Sequence, residues 1–310
     1  MSFSSQVKEE IAKHIGGVRH CQLAELAALI AFNGEVIRDS IGDYSIKIVS
    51  ENPVVIKKCF VLLKKTFGIE AENFIDANTD RIVINDSYEA KRILEGIKML
   101  DEKGLKVDNH LVSPQILRQQ CCRRCFIRGA FLAAGSVSDP NASYHFEIVC
   151  SSEDKAKELV EIIESFEVEA KIVFRKKYYV VYVKEGSFIV DLLNIMEAHV
   201  ALMELENVRI VKEVRNTLNR QINCETANMN KSAVAGVRQI SDIEYIRDTV
   251  GLDILKEGLR DIAYLRLENS SMNLKDLGQL LDPPVGKSGV NHRLKKISEI
   301  AQELRGNRKG

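Results

Sequence analysis

The chain has 310 residues, a formal net charge of zero, 45% apolar residues and 28% charged residues. That length accommodates two domains or three small ones, with apolar content enough for a real core. No apolar run approaches the roughly 20 residues that span a bilayer as a helix, so no membrane-spanning helix is expected.

The opening segment, MSFSSQVKEEIAKHIGG, is a polar helix start without the apolar stretch of a signal peptide. A cytoplasmic location is expected. Charge is uneven along the chain. Residues 1–219 carry 29 Lys and Arg against 32 Asp and Glu, whereas residues 220–310 carry 15 against 12. Within 287–310 seven basic residues face two acidic ones, so a phosphate-seeking surface is expected near the C-terminal end.

Seven cysteines, at 21, 59, 121, 122, 125, 150 and 224, show no disulfide-scaffold rhythm and fit a reducing compartment. Cys122 and Cys125 form one Cys-x-x-Cys beside Cys121. A structural zinc site needs four thiolate or imidazole ligands, and the sequence offers no second pair at a suitable spacing. Buried reduced thiols at a helix start, with no metal and no cofactor, are the expectation.

An internal repeat organises the first two thirds. Leu26-Ala27-Ala28-Leu29-Ile30-Ala31-Phe32-Asn33-Gly34 lies 101 positions before Ile127-Arg128-Gly129-Ala130-Phe131-Leu132-Ala133-Ala134-Gly135. Each is a helical run dense in small residues, which lets two helix backbones approach, and each ends at a Gly suited to a helix C-terminus. The alternating strand Tyr44–Ser50 is matched by His145–Ser151 at the same offset. A helix follows each, over about 53–67 and 153–166, and Phe67–Glu72 echoes Phe166–Lys171. Arg81–Ile84 then forms a strand in the first copy. In the second copy, 170–174 and 178–183 flank the basic turn Arg175-Lys176-Lys177. Helices near 87–100 and 187–203 close the copies. The order predicts one α+β domain over 1–219 with pseudo-two-fold symmetry, its repeats at about 20–100 and 121–205 and its two small-residue helices at the centre.

Those two runs resemble the LAGLIDADG motif of homing endonucleases. The first keeps Leu26, Ala27, Leu29, Ile30 and Gly34; the second keeps Gly129, Ala133 and Gly135. In that family the residue before the last Gly is the acid that holds Mg²⁺, and here those positions are Asn33 and Ala134. Mg²⁺ is usually held by at least one carboxylate, and two-metal cleavage needs negative charge beside the scissile phosphate. The resemblance therefore implies a nuclease scaffold with no catalytic residues. Glu35 follows Gly34, but its counterpart, Ser136, offers it no acidic partner. Arg175-Lys176-Lys177 and the group Arg118, Arg123, Arg124 and Arg128 read as solvated surface.

Five asparagines between 216 and 231 suggest a polar connector, followed by helices over 234–250 and 258–267. The second domain, 220–310, ends in a helix-turn-helix pattern over about 273–304. Asn273 reads as the N-cap of a helix with Asp276 in its first turn, and Leu274, Leu277, Leu280 and Leu281 form its apolar face. Asp282-Pro283-Pro284 stops it. A second helix runs from Lys287 to about Leu304 with Val290, Leu294, Ile297, Ala301 and Leu304 inward, spaced four, three, four and three. Lys287, Ser288, Asn291, His292 and Lys295 occupy the other face, with Arg293 and Lys296 on the flanks; Lys275 lies on the preceding helix. Such a helix presents its N-terminal side chains to base edges while cations grip phosphates. Asn291 suits adenine, and Arg293 suits guanine or a phosphate. Gly286 at the cap position is weaker there than Ser.

The order of these parts, with Asn219-Arg220-Gln221-Ile222-Asn223-Cys224 and the ending Pro283-Pro284-Val285-Gly286-Lys287-Ser288-Gly289-Val290-Asn291-His292-Arg293-Leu294, resembles the WhiA family over nearly the whole chain. The resemblance implies a LAGLIDADG-like α+β domain followed by an all-α helix-turn-helix domain similar to the promoter-reading part of sigma factors. It implies a nucleoid-associated, non-enzymatic partner of double-stranded DNA that regulates transcription and serves cell division, chromosome segregation and, in spore formers, sporulation. Two other readings stay open: an adaptor that docks transcription or cell-division proteins through its first domain, and a residual metal-dependent endonuclease.

Overall fold

The computed structural model describes residues 1–70, 80–101, 105 and 110–307. The chain divides into two compact units, Met1–Lys212 and Glu213–Gly310.

The first unit opens with α1 (Phe3–Lys13), capped by the Ser2 hydroxyl, which accepts from the Ser5 amide. The first repeat follows as α2 (Arg19–Asn33), β1 (Gly34–Arg38), β2 (Tyr44–Val49), α3 (Pro53–Phe67), β3 (Arg81–Ile84) and α4 (Ser87–Gly96). The second comprises α5 (Gln120–Ala134), β4 (Gly135–Val137), β5 (Phe146–Cys150), α6 (Glu153–Glu164), β6 (Lys171–Arg175), β7 (Tyr178–Val183) and α7 (Gly186–Ile195). Each repeat carries an antiparallel sheet, in the orders β1-β2-β3 and β4-β5-β7-β6. The position that would match β6 in the first copy falls on residues 71–79, outside the described residues, as do the last two residues of the Phe67–Glu72 echo.

The repeat extends to register and turn chemistry. Gly34 pairs with Ile48 and Gly135 with Ile148; Val36 pairs with Ile46 and Val137 with Phe146. In the hairpin turns Asp39 accepts from the amides of Ile41, Gly42 and Asp43, and Asp139 accepts from that of Asn141. A short acceptor side chain that satisfies its own turn amides explains why both copies place Asp there.

The helices start and stop for local reasons. Asn52 caps α3 ahead of Pro53, whose fixed φ suits the first turn, and Gly68 ends it at φ 71°, a left-handed conformation that glycine adopts without penalty. Asp86 caps α4 and Ser152 caps α6. Gly34 and Gly135 end α2 and α5 as expected, but not in a left-handed conformation: their φ values are −94° and −91°. Their role is steric, since a Cβ at Gly34 would sit 2.5 Å from the Ile30 carbonyl oxygen, and one at Gly135 would overlap the Phe131 ring.

The central helices α2 and α5 pack along each other more extensively than any other pair of elements. Gly129 makes this possible: a Cβ there would lie 2.6 Å from the Glu25 carbonyl oxygen and 2.8 Å from the Ala28 Cβ. The core around them joins both repeats, from Leu26, Leu29 and Ile30 to Phe126, Phe131 and Phe146.

The expected asparagine-rich connector is instead helical. α8 (His199–Thr249) runs for 51 residues without a break, and residues 216–231 lie inside it, exposed. Asn costs only a few tenths of a kcal/mol against Ala in a helix, residues 216–231 hold neither Pro nor Gly, and α8 as a whole has no Pro and one Gly, Gly236. Weak formers without a breaker do not end a helix.

In the second unit α9 (Glu257–Glu268), α10 (Leu274–Gln279) and α11 (Lys287–Asn307) join the end of α8 around a core of Ile243, Ile246, Ile262, Leu277, Leu294 and Ile297. Among the described residues, no helix is long and apolar enough to cross a membrane.

Candidate nucleic-acid interface

α10 and α11 form the expected pair. The Asn273 side-chain oxygen accepts from the amides of Lys275 and Asp276, each at 3.0 Å, and its amide nitrogen donates to Asp276 at 2.7 Å. One residue therefore satisfies two free donors of the helix start and fixes the acid beside its positive end. The helix ends at Gln279, earlier than its apolar spacing suggested, and Leu280 is half exposed.

The turn between α10 and α11 folds back tightly. The Val285 amide donates to the Gly278 carbonyl at 2.9 Å, and a Cβ on Gly278 would overlap the Val285 carbonyl oxygen. Small size at position 278 is thus what allows the turn to close on α10. Val290, Leu294, Ile297 and Ala301 of α11 are buried, as the four-three spacing predicts.

On the opposite face Lys287, Ser288, Asn291, His292, Lys295 and Lys296 are exposed, and so is Lys275 on α10. Lys295 lies 4.0 Å from Glu299, an exposed pair one helical turn apart. Such pairs are weak in water and yield readily to a phosphate. Arg293 is placed differently. It is half-buried against α9, where its guanidinium donates to the Gly258 carbonyl at 3.3 Å. That contact fastens α11 to α9, so the guanidinium is not free as expected from the sequence. The far end of α11 is tied as well: Arg305 donates to Asp242 at 2.7 Å and lies over the Tyr245 ring at 4.6 Å.

In the first unit Asn33 and Ala134 are the last residues of α2 and α5, at the positions where the nuclease motif carries its acids. Glu35 is exposed opposite Lys47 in the β1–β2 register, and the Ser136 hydroxyl donates to Glu147 at 3.1 Å. Arg118 is exposed, Arg123 and Arg124 are half-buried, and the Arg175-Lys176-Lys177 turn is exposed.

Arg128 departs from the expected solvated surface. It is fully buried, and its guanidinium donates to both oxygens of Glu25, to Glu197 and to the Cys125 sulfur. Lys58, also buried, pairs with Glu25 at 2.9 Å and donates to the carbonyls of Ile11 and His14. The physical reason is complementarity: α2 places an acid and α5 a base on the facing sides of two small-residue helices, and a fork of donors fits a carboxylate. Burial pushes the Cys125 thiol up to about 11, opposed by the adjacent guanidinium. A charged residue interrupting a small-residue run in each copy, with opposite signs, was the available signal.

Known proteins resemble the chain throughout. Residues 19–98 match the WhiA N-terminal LAGLIDADG-like domain, residues 123–215 the WhiA LAGLIDADG-like domain and residues 218–301 the WhiA C-terminal HTH domain. A relative from Lachnoclostridium phytofermentans, called probable cell division protein WhiA, is 52% identical over 98% of this chain and 100% of its own length. Relatives of the same description from Alkaliphilus oremlandii and Lachnospira eligens are 48% and 46% identical, each over 98% of both chains. The crystal structure of full-length DUF199/WhiA from Thermatoga maritima shares the fold with a TM-score of 0.57 at 23% identity, covering 98% of this chain and 99% of that one. The fold is thus a LAGLIDADG-like α+β domain followed by a helical helix-turn-helix domain, and the chain belongs to the WhiA family.

Proposed function

We propose that this chain is a non-enzymatic, nucleoid-associated DNA-binding regulator that acts in cell division, reads double-stranded DNA with α11 and controls transcription. The observation that carries the reading is the exposed face of α11, with Lys287, Ser288, Asn291, His292, Lys295 and Lys296 opposite a fully buried apolar seam. A helix held from behind and furnished with cations and amide groups in front suits a major groove. Roles in chromosome segregation and, in spore formers, sporulation belong to the same reading. Asn33 and Ala134 argue against strand cleavage, because neither supplies a carboxylate to a metal.

The test is retention of duplex DNA by the full chain and by a Lys287→Glu, Lys295→Glu, Lys296→Glu variant, across a range of salt. Wild-type affinity is expected to fall steeply with salt as phosphate counterions return, and the variant is expected to lose binding with an unchanged circular dichroism spectrum. Equal binding by the two proteins would overturn the assignment of α11.

A further inference from the structure

The helix start beside Cys121 and Cys122 holds a second group of donors that their sequence neighbourhood does not disclose. His20 and Cys21 lie in the first turn of α2, and Cys121 and Cys122 in the first turn of α5. Packing of the two helices brings all four together. The His20 Nδ1 is 3.1 Å from the Cys122 sulfur, 3.5 Å from that of Cys21 and 4.0 Å from that of Cys121. One ligand atom from each of the four residues lies within 4.8 Å of every other.

We propose that His20, Cys21, Cys121 and Cys122 form a Cys₃His site for a structural zinc ion that clamps the N-terminal ends of the two central helices.

The distances suit it. Around a tetrahedral zinc with Zn–S of about 2.3 Å and Zn–N of about 2.0–2.1 Å, neighbouring ligand atoms stand about 3.6–3.8 Å apart. The three His20 distances straddle that spacing and every other pair lies within 4.8 Å, so side-chain adjustments of about 1 Å complete the tetrahedron. The ligand set is soft, three sulfurs and an imidazole, which favours zinc over magnesium or calcium. The balance is simple. Three thiol protons leave to solvent, three Zn–S bonds form, and neutral His20 donates the Nδ1 lone pair while its proton stays on Nε2.

The surroundings agree. Neither α2 nor α5 has a side-chain cap at its N-terminus, and neither carries an acid in its first turn. The positive ends of the two helices converge there. The Cys122 and Cys121 thiols donate to the His20 carbonyl at 3.8 Å and to the Gln119 side-chain oxygen at 3.5 Å, contacts that metal binding would exchange for Zn–S bonds. A cleft lined by His20, Leu23, Pro114, Arg118, Gln119 and Cys122 gives solvent access, the entry path that an ion needs. Cys125, the sequence partner of Cys122 in the Cys-x-x-Cys, accepts from Arg128 and lies beside Cys21, outside the group of four.

The site lies at the end of the helices opposite Asn33 and Ala134. Each helix has 15 residues, so at 1.5 Å per residue roughly 20 Å separates its ends. It is thus distinct from the place where a LAGLIDADG nuclease binds its ions. It also replaces the expectation of a metal-free chain, which rested on ligand spacing along the sequence. The two pairs are related by the repeat itself: His20 and Cys21 precede Cys121 and Cys122 by 101 positions, the offset of the motif helices. Applying that offset to the cysteines was the signal that pairs of ligands one copy apart would meet.

The experiment measures metal in the full chain purified without chelator, followed by cobalt(II) substitution and thiol alkylation. One zinc ion per chain is expected, and the cobalt form is expected to show the intense tetrahedral bands and sulfur-to-metal charge transfer of a thiolate site. Cys121→Ser with Cys122→Ser should abolish both, while Cys224→Ser, in the other unit, should retain them. If the double variant does not fold, wild-type alkylation decides. Cys121 and Cys224 are both exposed; zinc should protect Cys121 until a chelator is added and leave Cys224 reactive throughout. Absence of bound zinc together with weak octahedral cobalt bands, or Cys121 labelling that metal does not alter, would overturn the site.

Discussion

Arg128 meets Glu25 through both carboxylate oxygens, Nε at 3.0 Å and Nη2 at 3.2 Å, and neither side chain is exposed to solvent. The pair crosses between the two central helices, with Lys58 on the same carboxylate. Burying charges is expensive, so such a group holds only while all its partners are present. Arg128→Met should leave the Lys58–Glu25 pair without its fork and destabilise the first unit by about 3–5 kcal/mol. Simultaneous replacement of Glu25, Lys58 and Arg128 with apolar residues should cost less than the single change. Urea unfolding monitored by amide exchange in α2 and α5 separates these outcomes. A triple variant weaker than Arg128→Met would contradict the argument.

The same network sets a pH dependence through His14, whose Nε2 lies 2.6 Å from Glu197. Burial and the Arg128 charge lower its pKa, with Lys58 adding to them; the carboxylates of Glu197 and Glu25 oppose this without reversing it. A histidine held below its unfolded value of about 6.5 binds fewer protons folded than unfolded, so stability rises with pH through that window. Its contribution is complete above the unfolded value and is lost as pH falls below it through the lowered folded value. His14→Gln should flatten the dependence of the urea midpoint on pH below about 6.5. An unchanged slope would exclude His14 as its source.

Gly129 offers a steric test. A methyl there meets the Glu25 backbone oxygen and the Ala28 methyl at distances that real contacts do not reach, and backbone cannot rotate away. Gly129→Ala should destabilise by about 1–3 kcal/mol, as overpacked cores do, despite the better helix propensity of alanine. Gly306→Ala in α11, with open space around the added carbon, should instead be neutral or stabilising by up to about 1 kcal/mol. Thermal unfolding of the two variants distinguishes packing from propensity.

These relationships also show what sequence conveys. The seam of α11 was legible because a four-three spacing of apolar residues has one helical interpretation, and its start at Lys287 agrees with the structure. Asn273 was legible for a similar reason: its chemistry is local. Arg128 was not, because its burial depends on Glu25, about one hundred residues away. The His20 and Cys21 pair was hidden likewise, since neither residue has a second ligand within its own turn except the other. The unbroken α8 was missed because asparagine density resembles a connector, although only proline or a glycine cluster would have ended the helix.

The motif ends predict that the chain does not cut DNA. Purified chain incubated with supercoiled plasmid and Mg²⁺ or Mn²⁺ should leave it intact, since Asn33 and Ala134 present no carboxylate. Scission that disappears in Glu35→Ala would restore the enzyme reading and identify the acid.

Under the proposed function, Arg293 and Lys295 are expected to separate support from recognition on a single helix. Arg293 is occupied by the Gly258 carbonyl of α9, whereas Lys295 is exposed and stands 4.0 Å from Glu299. Arg293→Met should therefore lower the stability of the second unit by about 1–2 kcal/mol, in line with a hydrogen bond from a charged donor, and leave the salt dependence of DNA binding unchanged. Lys295→Met should leave stability within about 0.5 kcal/mol, as surface changes do. It should reduce the slope of log affinity against log salt by about 0.9, one phosphate contact. If Arg293→Met instead produces the slope change, the guanidinium leaves α9 on binding and grips the backbone itself, and the division between the two residues fails.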